Sequence, residues 1–231
     1  MIRRFWWGSK EGKRKTCWVS WEKITQPKHL GGVGFRDFEM FNLALLARQA
    51  RRIMQNSKSL SARFLKALYF PNSNFLDAAL GSRPSQIWRA IVDGRDVFEQ
   101  GLIKIIGNGE TTRIWDHNWL PRDGGLKPIV VKASNLPKYV SELIDNISMQ
   151  WKEDVIQKYF YEFDAQVIKN IPLSYSRQDD FWAWHYERSR VFSVKSAYRM
   201  LIHTRNQRQD WLDSNIENSD TKATRKTWKS L

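Results

Sequence analysis

The chain has 231 residues, of which 42% are hydrophobic and 13% aromatic, so it is long enough to bury a core. Its 38 Lys and Arg residues outnumber 24 Asp and Glu residues, and the net charge of +14 favours a polyanionic partner, RNA or DNA, over an acidic small substrate. The single cysteine, Cys17, excludes an internal disulfide, and the absence of about 18 consecutive apolar residues argues against a membrane partner.

Basic residues are concentrated near the start of the chain, where residues 1–60 carry 13 basic and 4 acidic side chains. In residues 5–21 basic and aromatic side chains alternate, which suits phosphate contact with base stacking and equally suits tryptophans that anchor a small core. A solvated basic face without a ligand is the alternative. The candidates for nucleic-acid contact are Arg3, Arg4, Trp6, Trp7, Lys13, Arg14, Lys15, Arg48, Arg51 and Arg52.

Apolar residues with helical spacing predict an antiparallel helix pair after this segment. The first helix follows Asp37, a good N-cap, and extends to about Ile53. The second covers residues 59–69 and ends before Pro71. The side chains expected to face inward from it are Leu60, Phe64, Leu65 and Leu68.

A third helix is expected to begin near Pro84, and Gly94 and Gly101 are its candidate termination points. The residues predicted to share one of its faces are Ile87, Trp88, Ile91 and Val92. Further helical segments are expected around residues 139–146, 151–160 and 162–170.

Two β-hairpins are predicted. Apolar residues flank Asn108-Gly109, a dipeptide typical of tight turns, so a hairpin is expected near residues 102–115. A second hairpin is predicted from "DDFWAWHY", "ERSR" and "VFSV", before a helix that Ser193 or Ser196 could cap. The expected fold class is therefore α+β, mainly α-helical with two small antiparallel β-hairpins.

The predicted organisation has four parts. Residues 1–120 form a basic, mainly helical region, and the Pro/Gly-rich residues 121–138 form a connector. Residues 139–204 form a small helical and hairpin region, and residues 205–231 form a polar linker or a truncated edge.

No pattern in the sequence predicts a catalytic, cofactor or metal site. The glycines of "GGVGFRD" lack the spacing of a nucleotide cradle and instead favour a turn with positive φ before the helix. The four histidines and Cys17 are isolated from one another, and the Asp179-Asp180 doublet is expected to begin a strand. We expect no cofactor. An intracellular location, in nucleus or cytoplasm, is expected because a single cysteine favours a reducing compartment and no secretory signal is present. The mitochondrion stays open because the opening residues loosely match an Arg-rich transit peptide.

Three stretches carry a family resemblance: "FWWGSKEGKRKTCWVSWEKITQPKHLGGVGFRDFEMFNLALLARQARRI", "YFPNSNFLDAALGSRPSQIWRAIVDGRDVFEQGLIKIIGNGETTRIWDHNWLP" and "FSVKSAYRML". Over roughly residues 4–204 the chain closely resembles the C-terminal region of plant LINE-type non-LTR retrotransposon reverse transcriptases. It also resembles uncharacterised, retroelement-derived plant mitochondrial proteins.

The resemblance implies a segment that follows the polymerase core, with residues 192–231 similar to the opening of the reverse-transcriptase zinc-binding domain. The zinc ligands would fall beyond Leu231, and no polymerase, endonuclease or RNase H residue can be carried over to this chain. The implied role is a non-catalytic region that binds RNA or DNA without sequence preference, or connects the polymerase to downstream domains. A structural scaffold that packs against the polymerase domain, a relic without activity, and an independent enzyme are the alternatives.

Overall fold

The computed structural model describes residues 9–10, 13–14, 19–25, 32–130, 134–145, 147–173 and 178–227. Its α-helices are α1 (Trp21–Thr25), α2 (Phe38–Gln55), α3 (Leu60–Tyr69), α4 (Gln86–Gly101), α5 (Glu153–Tyr159), α6 (Glu162–Lys169) and α7 (Val194–Thr227). A 3-10 helix spans Val140–Leu143. The strands are β1 (Ser9–Lys10), β2 (Lys13–Arg14), β3 (Leu102–Ile105), β4 (Ile144–Asp145), β5 (Gln150–Trp151) and β6 (Phe181–Trp184). The mainly helical α+β class is confirmed.

Helix α2 begins where its sequence predicts, because the Asp37 side chain accepts hydrogen bonds from the amides of Glu39 (3.0 Å) and Met40 (3.2 Å). The Asp37 backbone N–H also donates to the Tyr198 hydroxyl (3.0 Å), and the Asp37 carboxylate forms an ion pair with Arg205. These contacts tie α7 to the start of α2.

The first hydrophobic core lies where α2 packs against α4 and α7. Ala44, Ala47 and Ala50 are fully buried on one face of α2, and these short side chains let the helices approach closely. A Cβ added at Gly94 would lie 2.4 Å from the Leu46 carbonyl carbon. The prediction that Gly94 could end α4 is therefore wrong, since this glycine is buried within the helix at a close helix–helix contact.

The predicted inward face of α3 is wrong for three of its four residues. Leu60, Phe64 and Leu68 are 81%, 62% and 57% exposed, whereas Leu65 packs against the core. Helix α3 instead turns the face of Ala62, Leu65 and Tyr69 inward. The Tyr69 ring stacks on Trp88 of α4 with centroids 4.6 Å apart and planes 1° apart, and this contact sets the orientation of α3. Ile87, on the predicted apolar face of α4, is likewise 70% exposed, while Trp88, Ile91 and Val92 are buried.

Strands β3 and β6 exist near their predicted positions, but their predicted partners are wrong. Each was expected to pair within its own hairpin, and instead the two strands pair with each other, antiparallel, with Leu102 opposite Trp184 and Ile105 opposite Phe181. The hairpins are β1–β2 and β4–β5. Residues 107–112 cannot serve as a hairpin turn here because their donors bind the carboxylate of Asp180.

A second hydrophobic core lies beyond this sheet. It contains Ile106, Ile114, Trp119, Leu120, Val140, Leu143, Ile144, Ile156, Phe160, Ala165 and Ile168. The helices predicted around residues 151–160 and 162–170 are present as α5 and α6, but residues 139–146 form the 3-10 helix and β4 instead. The four-part domain division stays a prediction.

Two residues within the predicted connector at residues 121–138, Arg122 and Ile129, contact Asp164 of α6. Arg122 forms an ion pair with the fully buried Asp164, whose other carboxylate oxygen accepts from the Ile129 amide (3.0 Å). The backbone of α7 continues through Thr227, although residues 205–231 were predicted to be a polar linker. Among the described residues no helix combines the length and apolarity needed to cross a membrane.

Candidate nucleic-acid interface

A cleft of about 900 Å³ opens between the helical core and the β3–β6 sheet. One wall is built from the end of α2, from α3 and from the loop at residues 73–77. The other wall is built from β3, residues 113–118 and Trp182 of β6. Because β3 pairs with β6, residues that are about 80 positions apart in sequence line the same wall.

Basic side chains line this cleft in a small excess over acidic ones. Lys66, Lys104, Arg113 and Lys127 contribute positive charge from four different parts of the chain. The carboxylates in the lining are Asp77, Glu99 and Asp116. Asp116 is paired with Arg113 at 3.3 Å, and both side chains are more than half exposed. Because such an exposed ion pair is weak, a phosphate can replace the Asp116 carboxylate as the partner of Arg113.

Trp182 presents an aromatic ring beside these charges. The Nζ atom of Lys104 lies 5.3 Å from the Trp182 ring centroid, within range of a cation–π interaction. The His117 ring meets Trp182 edge-on, with centroids 5.4 Å apart. The other tryptophan of the cleft, Trp115, already stacks on Phe160, with centroids 5.1 Å apart and planes 19° apart, so Trp182 is the better stacking platform.

The pKa values of two groups reflect burial and crowded positive charge. Burial lowers the pKa of His117, and the nearby charges of Arg113, Lys104 and Lys127 lower it further against a weaker opposing effect of Asp116. Burial also lowers the pKa of Lys104, although the charge of Asp180 opposes this. The lowered pKa favours the neutral form of His117, whose Nδ1 accepts from the Arg113 amide (3.0 Å), so its Nε2–H is the group left to donate to a ligand.

Within the Asp179-Asp180 doublet, Asp180 stabilises the loop at residues 107–112. The Asp180 carboxylate accepts hydrogen bonds from the amides of Gly107 (2.7 Å), Gly109 (2.9 Å) and Thr111 (3.2 Å). It also accepts from the hydroxyls of Thr111 (3.1 Å) and Thr112 (2.7 Å). These loop donors resemble those that bind phosphate elsewhere, but here a carboxylate of the same chain uses them.

No metal centre accompanies the doublet in the described part of the chain, where no group of three or more His, Cys, Asp or Glu residues could hold an ion. The geometry of the loop bound by Asp180 explains its two glycines, Gly107 and Gly109. A Cβ at Gly107 would lie 1.9 Å from the Gln178 carbonyl oxygen, and Gly109 has a φ of +74°. Gly34, in the turn before α2, also has a positive φ of 76°, as predicted for that turn.

The structure places some of the predicted nucleic-acid contacts and leaves others untested. Arg48 and Arg52 are exposed on α2 and Arg51 is half-buried. Arg51 and Arg52 directly precede Ile53 and Met54, which line the cleft. The candidates that lie outside the described side chains are Arg3, Arg4, Trp6, Trp7, Lys13, Arg14 and Lys15, although the backbone of Lys13 and Arg14 is seen as β2.

The sequence alone does not identify the charged and aromatic residues that line the cleft. Lys104, Arg113, Lys127 and Trp182 are scattered along the chain and come together only through the pairing of β3 with β6 and the packing of residues 113–127. The available signal was the lysine within "LIKI", since a charge inside an apolar strand usually has a specific partner.

Two curated relatives from Arabidopsis thaliana match the chain. It is 43% identical over 129 residues to the uncharacterized mitochondrial protein AtMg00310, a match that covers 55% of this chain and 84% of that protein. It is 30% identical over 218 residues to the putative ribonuclease H protein At1g65750, covering 87% of this chain. The chain spans only 33% of that second, longer relative. No family model and no solved structure matches the chain.

Proposed function

Because the chain belongs to the family of the uncharacterized Arabidopsis thaliana mitochondrial protein AtMg00310, we propose that it is a retroelement-derived, non-catalytic protein that binds RNA or DNA without sequence preference. Its origin would be the region after the polymerase core of a plant LINE-type non-LTR reverse transcriptase, leading into the zinc-binding domain. The motif resemblance over residues 4–204 supports this origin. The match to a longer protein named as a putative ribonuclease H is in keeping with it, because that name refers to a nucleic-acid enzyme.

The cation-lined cleft with Trp182 is the observation that carries the binding proposal. Lys and Arg contacts to phosphates give affinity that is independent of sequence, because the gain comes from counterions released by the nucleic acid. An aromatic ring beside such charges adds base stacking, which every base can provide. Trp182 with Arg113 and Lys127 offers both contributions within one cleft, whereas Lys104 is only 7% exposed, donates to Thr111 Oγ1 (2.7 Å) and supports the Trp182 ring through its cation–π contact.

The arginines of α2 would extend this surface. Arg48 and Arg52 lie one helical turn apart on the same face, and the helix leads directly into the cleft wall at Ile53.

A salt titration on the full chain tests the proposal. Binding of a fluorescent single-stranded oligonucleotide of uniform sequence would be measured by anisotropy at increasing salt. For single strands the slope of log affinity against log salt changes by about 0.7 for each phosphate contact, so replacing Arg113 and Lys127 with Gln should flatten it by about 1.4. Trp182→Ala should weaken binding by about 1–3 kcal/mol, the usual contribution of one stacked base.

The matched control removes the same charge elsewhere. Arg89 on α4 and Lys195 on α7 are exposed and do not line the cleft, so the double change Arg89→Gln and Lys195→Gln should leave the slope nearly unchanged. Affinity that does not depend on salt, or an equal loss in the control, would refute the proposal. The scaffold alternative predicts no measurable binding by the wild-type chain.

A further inference from the structure

Helix α3 carries an apolar stripe that its own fold does not cover. Leu60, Phe64 and Leu68 are spaced four residues apart and are 81%, 62% and 57% exposed. The opposite face, with Ala62, Leu65 and Tyr69, holds the helix on the core. Contiguous exposed apolar surface on a soluble protein commonly marks a site of interaction, and the rigid attachment of α3 presents this stripe in a fixed geometry.

The charged residues within α3 and just before it are all basic. Lys58 precedes the helix, Arg63 and Lys66 lie within it, and α3 contains no acidic residue. Among the described residues no carboxylate lies within ion-pair distance of Lys58 or Arg63. Helical spacing places Arg63 along one long edge of the stripe, next to Leu60 and Ala67.

From this pattern we propose that the α3 stripe is a docking surface for a protein partner that presents an apolar groove or helix face bordered by carboxylates. Leu60, Phe64 and Leu68 supply the i, i+4, i+8 anchors typical of a helix that lies against a groove. Opposite charge at the edge of the groove pairs with Lys58 and Arg63 and fixes the orientation of the partner. Leu60, Phe64 and Leu68 do not line the proposed nucleic-acid cleft, which α3 borders through Ala62 and Lys66.

Two other occupants fit the charge pattern less well. A second copy of the chain would bring the two Arg63 side chains close together at the centre of an antiparallel helix pair, on molecules that each carry a net charge of +14. An amphipathic helix on an anionic membrane typically carries basic residues across a broad polar face, whereas α3 has its opposite face packed on the core.

Two designed peptides test the chemistry of the partner with the full chain. Both are amphipathic helices of about 20 residues, long enough to be helical in water, with an identical leucine stripe. One is flanked by glutamates and the other by lysines. In fluorescence anisotropy the glutamate peptide should bind at least about tenfold more tightly than the lysine peptide. Lys58→Glu with Arg63→Glu should reverse this preference.

Phe64→Ser should abolish binding of the glutamate peptide while leaving the melting temperature and oligonucleotide affinity unchanged, because Phe64 is mostly exposed and lies outside the cleft. Ile147→Ser is the matched control, since Ile147 is 95% exposed in the turn between β4 and β5 and does not belong to the α3 stripe, and it should have no effect. Equal binding of both peptides, or unchanged binding by the Phe64 variant, would overturn the proposal. It would equally be overturned if Phe64→Ser abolished only self-association or only binding to anionic vesicles.

Discussion

The hydrogen-bonded carboxylate of Asp180 should be highly sensitive to substitution, because it accepts five hydrogen bonds from one loop. Replacing it with asparagine keeps the shape but exchanges one acceptor oxygen for an NH2 group. The least costly orientation turns the NH2 group toward Thr111 and Thr112, whose hydroxyls can rotate and accept. The Thr111 amide cannot rotate and is left facing another donor.

The expected loss follows from this geometry. One backbone donor without a partner costs about 1–3 kcal/mol, and charge-assisted hydrogen bonds become ordinary ones at the remaining contacts. We therefore expect Asp180→Asn to lower the free energy of unfolding by about 2–3 kcal/mol. Asp180→Ala removes all five hydrogen bonds and should cost about 3–5 kcal/mol.

The pH dependence gives an independent signature. Burial by itself raises the pKa of Asp180, but the hydrogen bonds from Thr112, Gly107, Gly109 and Thr111 together outweigh it and bring the pKa below its usual value. Stabilisation from a lowered carboxyl pKa is complete above the unfolded-state pKa of about 3.9 and is lost as the pH falls through the lower folded-state pKa. The wild type should therefore lose more stability than Asp180→Asn on acidification below about pH 4.

Urea unfolding followed by tryptophan fluorescence, at neutral pH and at several acidic pH values, measures both effects. Asp179→Asn is the matched control, because Asp179 is an exposed neighbour whose one side-chain hydrogen bond is a long contact (3.4 Å) from Asn108. It should change stability by less than about 0.5 kcal/mol. A loss below about 1 kcal/mol in Asp180→Asn, or equal losses in both variants, would refute this account of the loop.

Two further predictions concern packing. Gly94→Ala should lower the free energy of unfolding by about 1–3 kcal/mol, because the added Cβ would meet the Leu46 backbone. This loss should exceed the gain from the better helix propensity of alanine. Urea unfolding measures the change, and a stabilised variant would contradict the observed α2–α4 contact. Arg122→Met should cost about 3–5 kcal/mol at neutral pH because it leaves the fully buried Asp164 without its cation. Adding Asp164→Leu should recover much of that loss, and an additive further loss would contradict the pairing.

Local elements of this fold could be predicted because their causes are local. Asp37 bonds amides two and three residues away, and apolar spacing defines α2 and much of α4 without reference to the rest of the chain. The mainly helical α+β class follows from the same patterns. The glycine turn at Gly34 was predictable because positive φ is a property of the residue itself.

The predictions were wrong where the local sequence favours two alternative arrangements almost equally. Helix α3 has two apolar faces, one with Leu60, Phe64 and Leu68 and the other with Ala62, Leu65 and Tyr69. Residue hydrophobicity favours the first face, but the stacking of Tyr69 on Trp88 selects the second. An Asn-Gly dipeptide similarly favours a hairpin until Asp180, some 70 residues later, binds the donors of that loop.

The sequence by itself determined the starts of α2 and α3, the class of the fold and the excess of positive charge, because these depend on residue types and on neighbours within a few positions. The tertiary structure alone decided which strands pair, which face of α3 meets the core and which cations share a cleft with Trp182. These outcomes depend on contacts between segments far apart in the chain. The local periodicity of the sequence carries no information about the free energies of such contacts.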